Sequence, residues 1–237
     1  MRTKLYIAFI FIFTTVVYGQ NSSNMTLDSD TSFWLNRQDF LLKRLKIIKP
    51  FETKQNYHFR LFYHGQLISN SIDLWQEEDS TLGIEAVFYT NEVVPSGELP
   101  TNRLYSEKVT FELSKAIEAL KIVRKNKIEY IPTDKQIKGW SKGFDGVEFI
   151  IETLKDKNYS FKQYWTPSAQ DSIIEAHVLT DFTNELWSLL NINRLENEFK
   201  ARIPFECYNS GGPTTASRIL TRKEKRHYKQ ERKKAIN

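Results

Sequence analysis

The sequence predicts an α+β domain: an antiparallel sheet packed by two or three helices, followed by a disordered basic C-terminal tail. Three observations carry this. Apolar and polar residues alternate with period two in residues 67–76, 82–90 and 144–166. Amphipathic stretches with helical spacing lie before, between and after these runs. The last twenty residues are dominated by charge.

Taken in order, Arg2 and Lys4, the apolar run Leu5 to Val17 and the small residue Gly19 read as a cleaved secretory signal peptide over residues 1–19. Its apolar run is shorter than the about 20 residues of a spanning helix. No later stretch reaches that length, so no transmembrane segment is expected after cleavage. The expectation is export to a periplasmic or extracellular location. Residues 20–32 are polar and read as a flexible lead-in. A single domain is expected over residues 33–208, and a flexible linker and tail over residues 209–237.

Within the domain, Phe33, Trp34, Phe40, Leu41, Leu42, Leu45, Ile47 and Ile48 fall among cations and predict a first helix that ends before Pro50. Strands follow at 57–63, 67–76 and 82–90, the last two joined by the turn Glu77 to Ser80. Leu113, Ala116, Ile117, Leu120 and Ile122 predict a second helix. Residues 144–166 predict a hairpin that turns at Lys155 to Asn158. Ser168 and Asp171 suggest a cap for a long helix over residues 169–190, with Ile174, Val178, Phe182, Leu186 and Leu190 as its buried stripe. A shorter helical patch spans residues 194–200.

The hairpin carries a resemblance. Lys138-Gly139-Trp140, the run Gly143-Phe144-Asp145-Gly146-Val147-Glu148-Phe149-Ile150-Ile151-Glu152, Tyr159 and Tyr164-Trp165-Thr166-Pro167 together resemble a pattern of uncharacterised secreted bacterial proteins. That family has no assigned activity. The resemblance implies a hairpin and export, and supplies no mechanism.

Composition narrows the chemistry. The chain has 237 residues and a net charge of +5. Arg218 to Asn237 hold nine cations against Glu224 and Glu231, so the body before them is mildly acidic. Cys207 is the only cysteine, which excludes an internal disulfide. The sequence contains no HExxH, GxSxG, SxxK or phosphate-binding glycine loop, and no cofactor or metal is implied. His58 and His64 stand about 20 Å apart on one strand, too far for one metal. His177 lies one turn from Asp181 and reads as a helix-flank residue.

The candidate binding residues are therefore the aromatics Trp140, Tyr164 and Trp165 of the hairpin region and the tail cations Arg222, Lys223, Lys225, Arg226, Lys229, Arg232, Lys233 and Lys234. They suggest a non-catalytic binding domain whose partner is a protein or an envelope polymer, with the tail contacting an anionic surface. The alternative is a hydrolase of envelope sugar or peptide using Asp145, Glu148 or Glu152. Glu148 and Glu152 share a strand face about 13 Å apart, wider than the roughly 5–9.5 Å of a glycosidase pair. Lys162 on the facing strand is the expected charge partner of these acids.

Overall fold

Alternation in three consecutive segments, with turns too short for a crossover, forces antiparallel pairing, and the pairing extends across one sheet. In the computed structural model, which describes residues 29–48, 55–94 and 97–236, β1 (Tyr57–His64), β2 (Ser69–Gln76) and β3 (Leu82–Glu92) form a meander. β5 (Glu148–Lys155) and β6 (Asn158–Trp165) add to the free edge of β1. β4 (Leu104–Thr110) pairs with most of β3, and the short β7 (Cys207–Asn209) and β8 (Ala216–Ser217) continue from the end of β3. The path β6-β5-β1-β2-β3-β7-β8 is antiparallel at every step. Asp156 and Lys157 both take positive φ at the β5–β6 turn, as a two-residue hairpin of matched twist requires.

Period two gives this sheet two different faces. Phe59, Leu61, Ile72, Leu74, Ile84, Ala86, Phe88 and Ile151 point to one side and form the main core. α2 (Leu113–Lys125), α3 (Ile174–Leu190) and α4 (Ile192–Arg202) cover it. Ala116 and Ala119 let α2 lie close to the strands, and Phe182 of α3 meets Phe59 edge to face at 5.8 Å. Asn191, left-handed at φ 53°, ends α3 and starts α4.

The opposite face is covered by α1 (Ser29–Leu45). Leu42 and Leu45 lie on Phe62, Val87, Tyr89, Ile150 and Phe161. Lys46 at φ 56° ends the helix, with the Ile47 amide donating to Leu42 O and the Lys46 amide to Lys43 O. This is a Schellman ending whose apolar contact is Ile47 with Leu42.

Several sequence expectations change. The signal peptide expected over residues 1–19 lies outside the described residues, and the lead-in is described only from Ser29, which is already helical. Among the described residues there are five helices where two or three were expected, and β4 was not anticipated. α3 begins at Ile174 without a side-chain cap, because Ser168 belongs to a separate 3-10 turn at Pro167–Ala169. Its stripe also shifts. A strict four-residue repeat drifts about 40° per step on a helix of 3.6 residues per turn, so Ile174 rotates out to solvent while Ala176, Leu179 and Thr183 turn inward. Among the described residues, no helix is long and apolar enough to cross a membrane.

The largest correction is at the C-terminus. The tail expected to be disordered is α5 (Arg222–Ile236), docked on the domain through buried Leu220 and Tyr228. Its linker is anchored as well, since β7 pairs with β3 and Ser210 bonds the Gly65 and Gln66 carbonyls.

Trp75 explains one glycine. It faces Gly83 across β2 and β3, and a Cβ at 83 would run into its ring. We expect Gly83→Ala to lower stability by about 1–3 kcal/mol in urea denaturation. Trp75→Leu should remove most of that loss by freeing the space. Equal losses in both backgrounds would refute the contact.

Candidate functional site: a polar pocket and a basic helix

Sheet register sorts the α1-facing residues into rows that cross the strands. In one row Phe161, Glu152, Arg60, Asp73 and Glu85 are successive neighbours. The next row, Gln163, Ile150, Phe62, Ser71 and Val87, carries most of the apolar contact with α1. Beyond it come Trp165, Glu148 and His64, then Ser69 opposite Tyr89. An apolar layer therefore separates two polar ones.

In the first polar layer the charges pair with one another, while His58 Nδ1 is left without a partner. The Arg60 side chain, 1% exposed, donates from Nε to Asp73, from Nη1 to Glu152 at 3.1 Å and from Nη2 to Ile48 O at 2.8 Å. Tyr159 donates to the other oxygen of Glu152 at 2.8 Å, and His58 Nε2 lies 2.8 Å from Asp73 Oδ1. Burial alone would raise the Asp73 pKa, but the Arg60 charge and the His58 hydrogen bond hold it below the usual value. Each charge has partners, which is the arrangement a buried ionic cluster needs to be stable.

The second polar layer is open at one end. His64 and Glu148 are each 7% exposed and stand opposite one another on β1 and β5, so their Cβ atoms are about 5 Å apart. His64 Nδ1 bonds the Tyr89 hydroxyl at 3.0 Å, whereas its Nε2 has no partner; Glu148 Oε1 has none either. Both residues line a cavity of about 300 Å³. α1 supplies Trp34, whose ring lies 5.8 Å from the His64 ring, and Arg37, 5.0 Å from Trp34. The β7–β8 loop closes another side, and Gly211 at φ 104° brings its backbone up to Arg37. Trp165 completes the wall and rests on Gly143 and Gly146, where added Cβ atoms would meet its ring at 2.8 Å.

Burial is the main cause that moves both titrating groups toward neutrality. It pushes Glu148 up to about 7, with the Asp134 carboxylate adding to the effect against opposing contributions from Gln163, Lys142 and Arg37. It pushes His64 down to about 3, and Arg37 acts in the same direction.

Of the three acids suggested for hydrolysis, only Glu148 lines the cavity. Asp145 is exposed on the preceding loop, and Glu152 is held by Arg60 and Tyr159. Lys162 is not their charge partner: it pairs with Ile151, lies on the other face and donates to Glu129 O at 2.6 Å. The three hairpin-region aromatics also separate. Tyr164 is buried in the helix-covered core and donates to Ile131 O, and Trp140 is half-buried with Nε1 donating to Trp165 O. Trp165 alone reaches the cavity. His177 bonds Asp171 O at 2.9 Å. Cys207 is a half-buried free thiol in β7, and no cluster suited to a metal occurs among the described residues.

α5 is built by local chemistry that the charge run obscures. Thr221 and Glu224 form a reciprocal capping box, with the Thr221 amide on Glu224 at 2.8 Å and the Glu224 amide on the Thr221 hydroxyl at 3.3 Å. Tyr228 then docks beneath the Arg103 guanidinium, and Arg232 pairs with Glu98. Lys225 pairs with Glu206 at 3.2 Å and Lys234 with Glu231 at 2.8 Å. Arg222, Arg226, Lys229 and Lys233 recur at spacings of four, three and four, all exposed, on the side away from Tyr228. Lys223 is exposed beside them.

Comparison with protein-family models and with curated proteins finds no match for the chain.

Proposed function

We propose that this is an exported, non-catalytic binding module that holds an anionic polysaccharide of the cell envelope along α5. The observation that carries the reading is the docking of Tyr228, which presents Arg222, Arg226, Lys229 and Lys233 as one stripe on a fixed helix. The stripe is about 16 Å long at 1.5 Å per residue, enough to follow an extended charged chain. A bilayer is a poorer fit. Membrane-surface helices bury an apolar face, and the exposed side of α5 carries Arg222, Arg226, His227, Lys229, Gln230 and Lys233. Export rests on the charge and apolar pattern of residues 1–19. A hydrolytic role for Asp145, Glu148 and Glu152 has only Glu148 in the cavity to support it.

Replacing Arg222, Arg226, Lys229 and Lys233 together by alanine should weaken retention on heparin at least about 10-fold at low salt, since a cation at an anionic surface contributes about 1 kcal/mol. The difference should shrink as salt rises. Heparin retention unchanged in a variant with native circular dichroism would overturn the reading, as would tighter binding to anionic vesicles than to heparin.

A further inference from the structure

We propose that the cavity between α1, the Gly143–Val147 loop and the β7–β8 loop binds a neutral polyhydroxylated ring, a pyranose unit of a glycan. Glu148 and His64 would bond adjacent hydroxyls. This is a second site, and it does not depend on α5 carrying a polymer.

The cavity is a built polar site. Two side chains that are more than nine-tenths buried present unpartnered polar atoms, His64 Nε2 and Glu148 Oε1, from directly opposed strand positions. Buried polar groups are nearly always hydrogen-bonded in native proteins, so two such atoms on residues that line one cavity point to a ligand that completes them. Its volume of about 300 Å³ lies at the lower bound of the roughly 300–1,000 Å³ of small-molecule pockets. One ring fits that space better than an extended chain.

The charges select the ligand class. Arg37 disfavours a cation, and Glu148 disfavours an anion whenever it is ionised. The neutral imidazole of His64 offers a donor or an acceptor at Nε2 according to how the Tyr89 hydroxyl engages Nδ1. Glu148 likewise accepts when ionised and can also donate when protonated. A hydroxyl is both donor and acceptor, so it satisfies each of these states. Two neighbouring hydroxyls match two protein groups on adjacent strands. Trp34 and Trp165 add aromatic surface to the lining, against which the C–H groups of a sugar ring can pack.

Other openings are less specific. The space beside Arg60 adjoins a cluster whose charges already pair with one another. The groove at Trp187 on the helix side is mostly apolar, and nothing indicates what covers it.

The test is tryptophan fluorescence and calorimetric titration of the whole protein with methyl β-D-glucopyranoside, maltose, cellobiose and N,N′-diacetylchitobiose, with sodium acetate as the anionic comparison. At least one sugar should bind with a Kd of about 1 mM or tighter and exceed acetate. Glu148→Leu should weaken that binding roughly 10-fold, the effect of losing one buried hydrogen bond. Glu148→Gln, which keeps an acceptor and a donor, should stay within about threefold of the parent. Affinity should also change little between pH 6 and pH 8, because a hydroxyl serves either form of Glu148. The α5 alanine variant should bind the sugar unchanged, which separates this site from the polymer stripe. No binding by any of the four sugars, tighter binding of acetate, or sugar binding indifferent to Glu148→Leu would each overturn the assignment.

Discussion

Arg60→Met should destabilise the protein by about 3–5 kcal/mol, the range for removing one partner from a buried ion pair. The reason is what the substitution leaves behind. Asp73 and Glu152 flank Arg60 on β2 and β5, all three beneath α1, and without the guanidinium two carboxylates face each other in a dry interior. Methionine replaces much of the aliphatic volume, so the loss would report charge rather than a cavity. Adding Asp73→Asn and Glu152→Gln should recover most of it, because the isosteric amides bury no net charge. Urea denaturation of the parent, single and triple variants measures this. The single variant should also lose less at low pH, where protonation relieves the repulsion. A loss below about 1 kcal/mol for Arg60→Met would show that the cluster is solvated, contrary to its burial.

Glu148→Gln should change the shape of the stability profile with pH. Folding raises Glu148 from 4.5 to about 7 and lowers His64 from 6.5 to about 3. Between pH 4.5 and 6.5 the unfolded chain carries ionised Glu148 and protonated His64, whereas the folded chain carries both neutral. The number of bound protons is then equal in the two states, and these groups give no slope. Below pH 4.5 the unfolded chain holds the extra proton, so stability falls as pH falls toward 3. Above 6.5 the folded chain holds it, so stability declines through pH 7. Removing Glu148 leaves only the His64 contribution. The variant should gain about 3 kcal/mol relative to the parent as pH rises from 4.5 to 6.5, at 1.36 kcal/mol per unit, and remain more stable at pH 8. Urea midpoints across pH 4–8 would show it, and parallel profiles would contradict the burial of Glu148.

Both predictions rest on pairings that connect distant residues. His64 and Glu148 are far apart in the chain, and so are Arg60 and Glu152; only the register of β1 with β5 makes them neighbours. Alternation shows that Glu148 and Glu152 share a face, but not which strand lies beside them. Lys162 was the natural candidate from the hairpin alone. It fails because Glu152 stands opposite Phe161, which turns Lys162 to the other face. The capping box at Thr221 and Glu224 and the apolar Tyr228 were legible local signals for α5. They were outweighed by a charge run that also fits a solvated tail.

By itself, the sequence determined what short-range physics decides: the period-two strands of the meander, the Lys155–Asn158 turn, the helical stretches that became α1 to α4, and the α+β class. Tertiary structure alone decided the rest. It placed Arg60 between two acids, left His64 Nε2 and Glu148 Oε1 unpartnered on two residues that line one cavity, and docked α5 so that four cations point outward together. The physical reason is that local propensity acts over a few residues, whereas burial and charge pairing depend on which strand lies alongside and which helix covers the face.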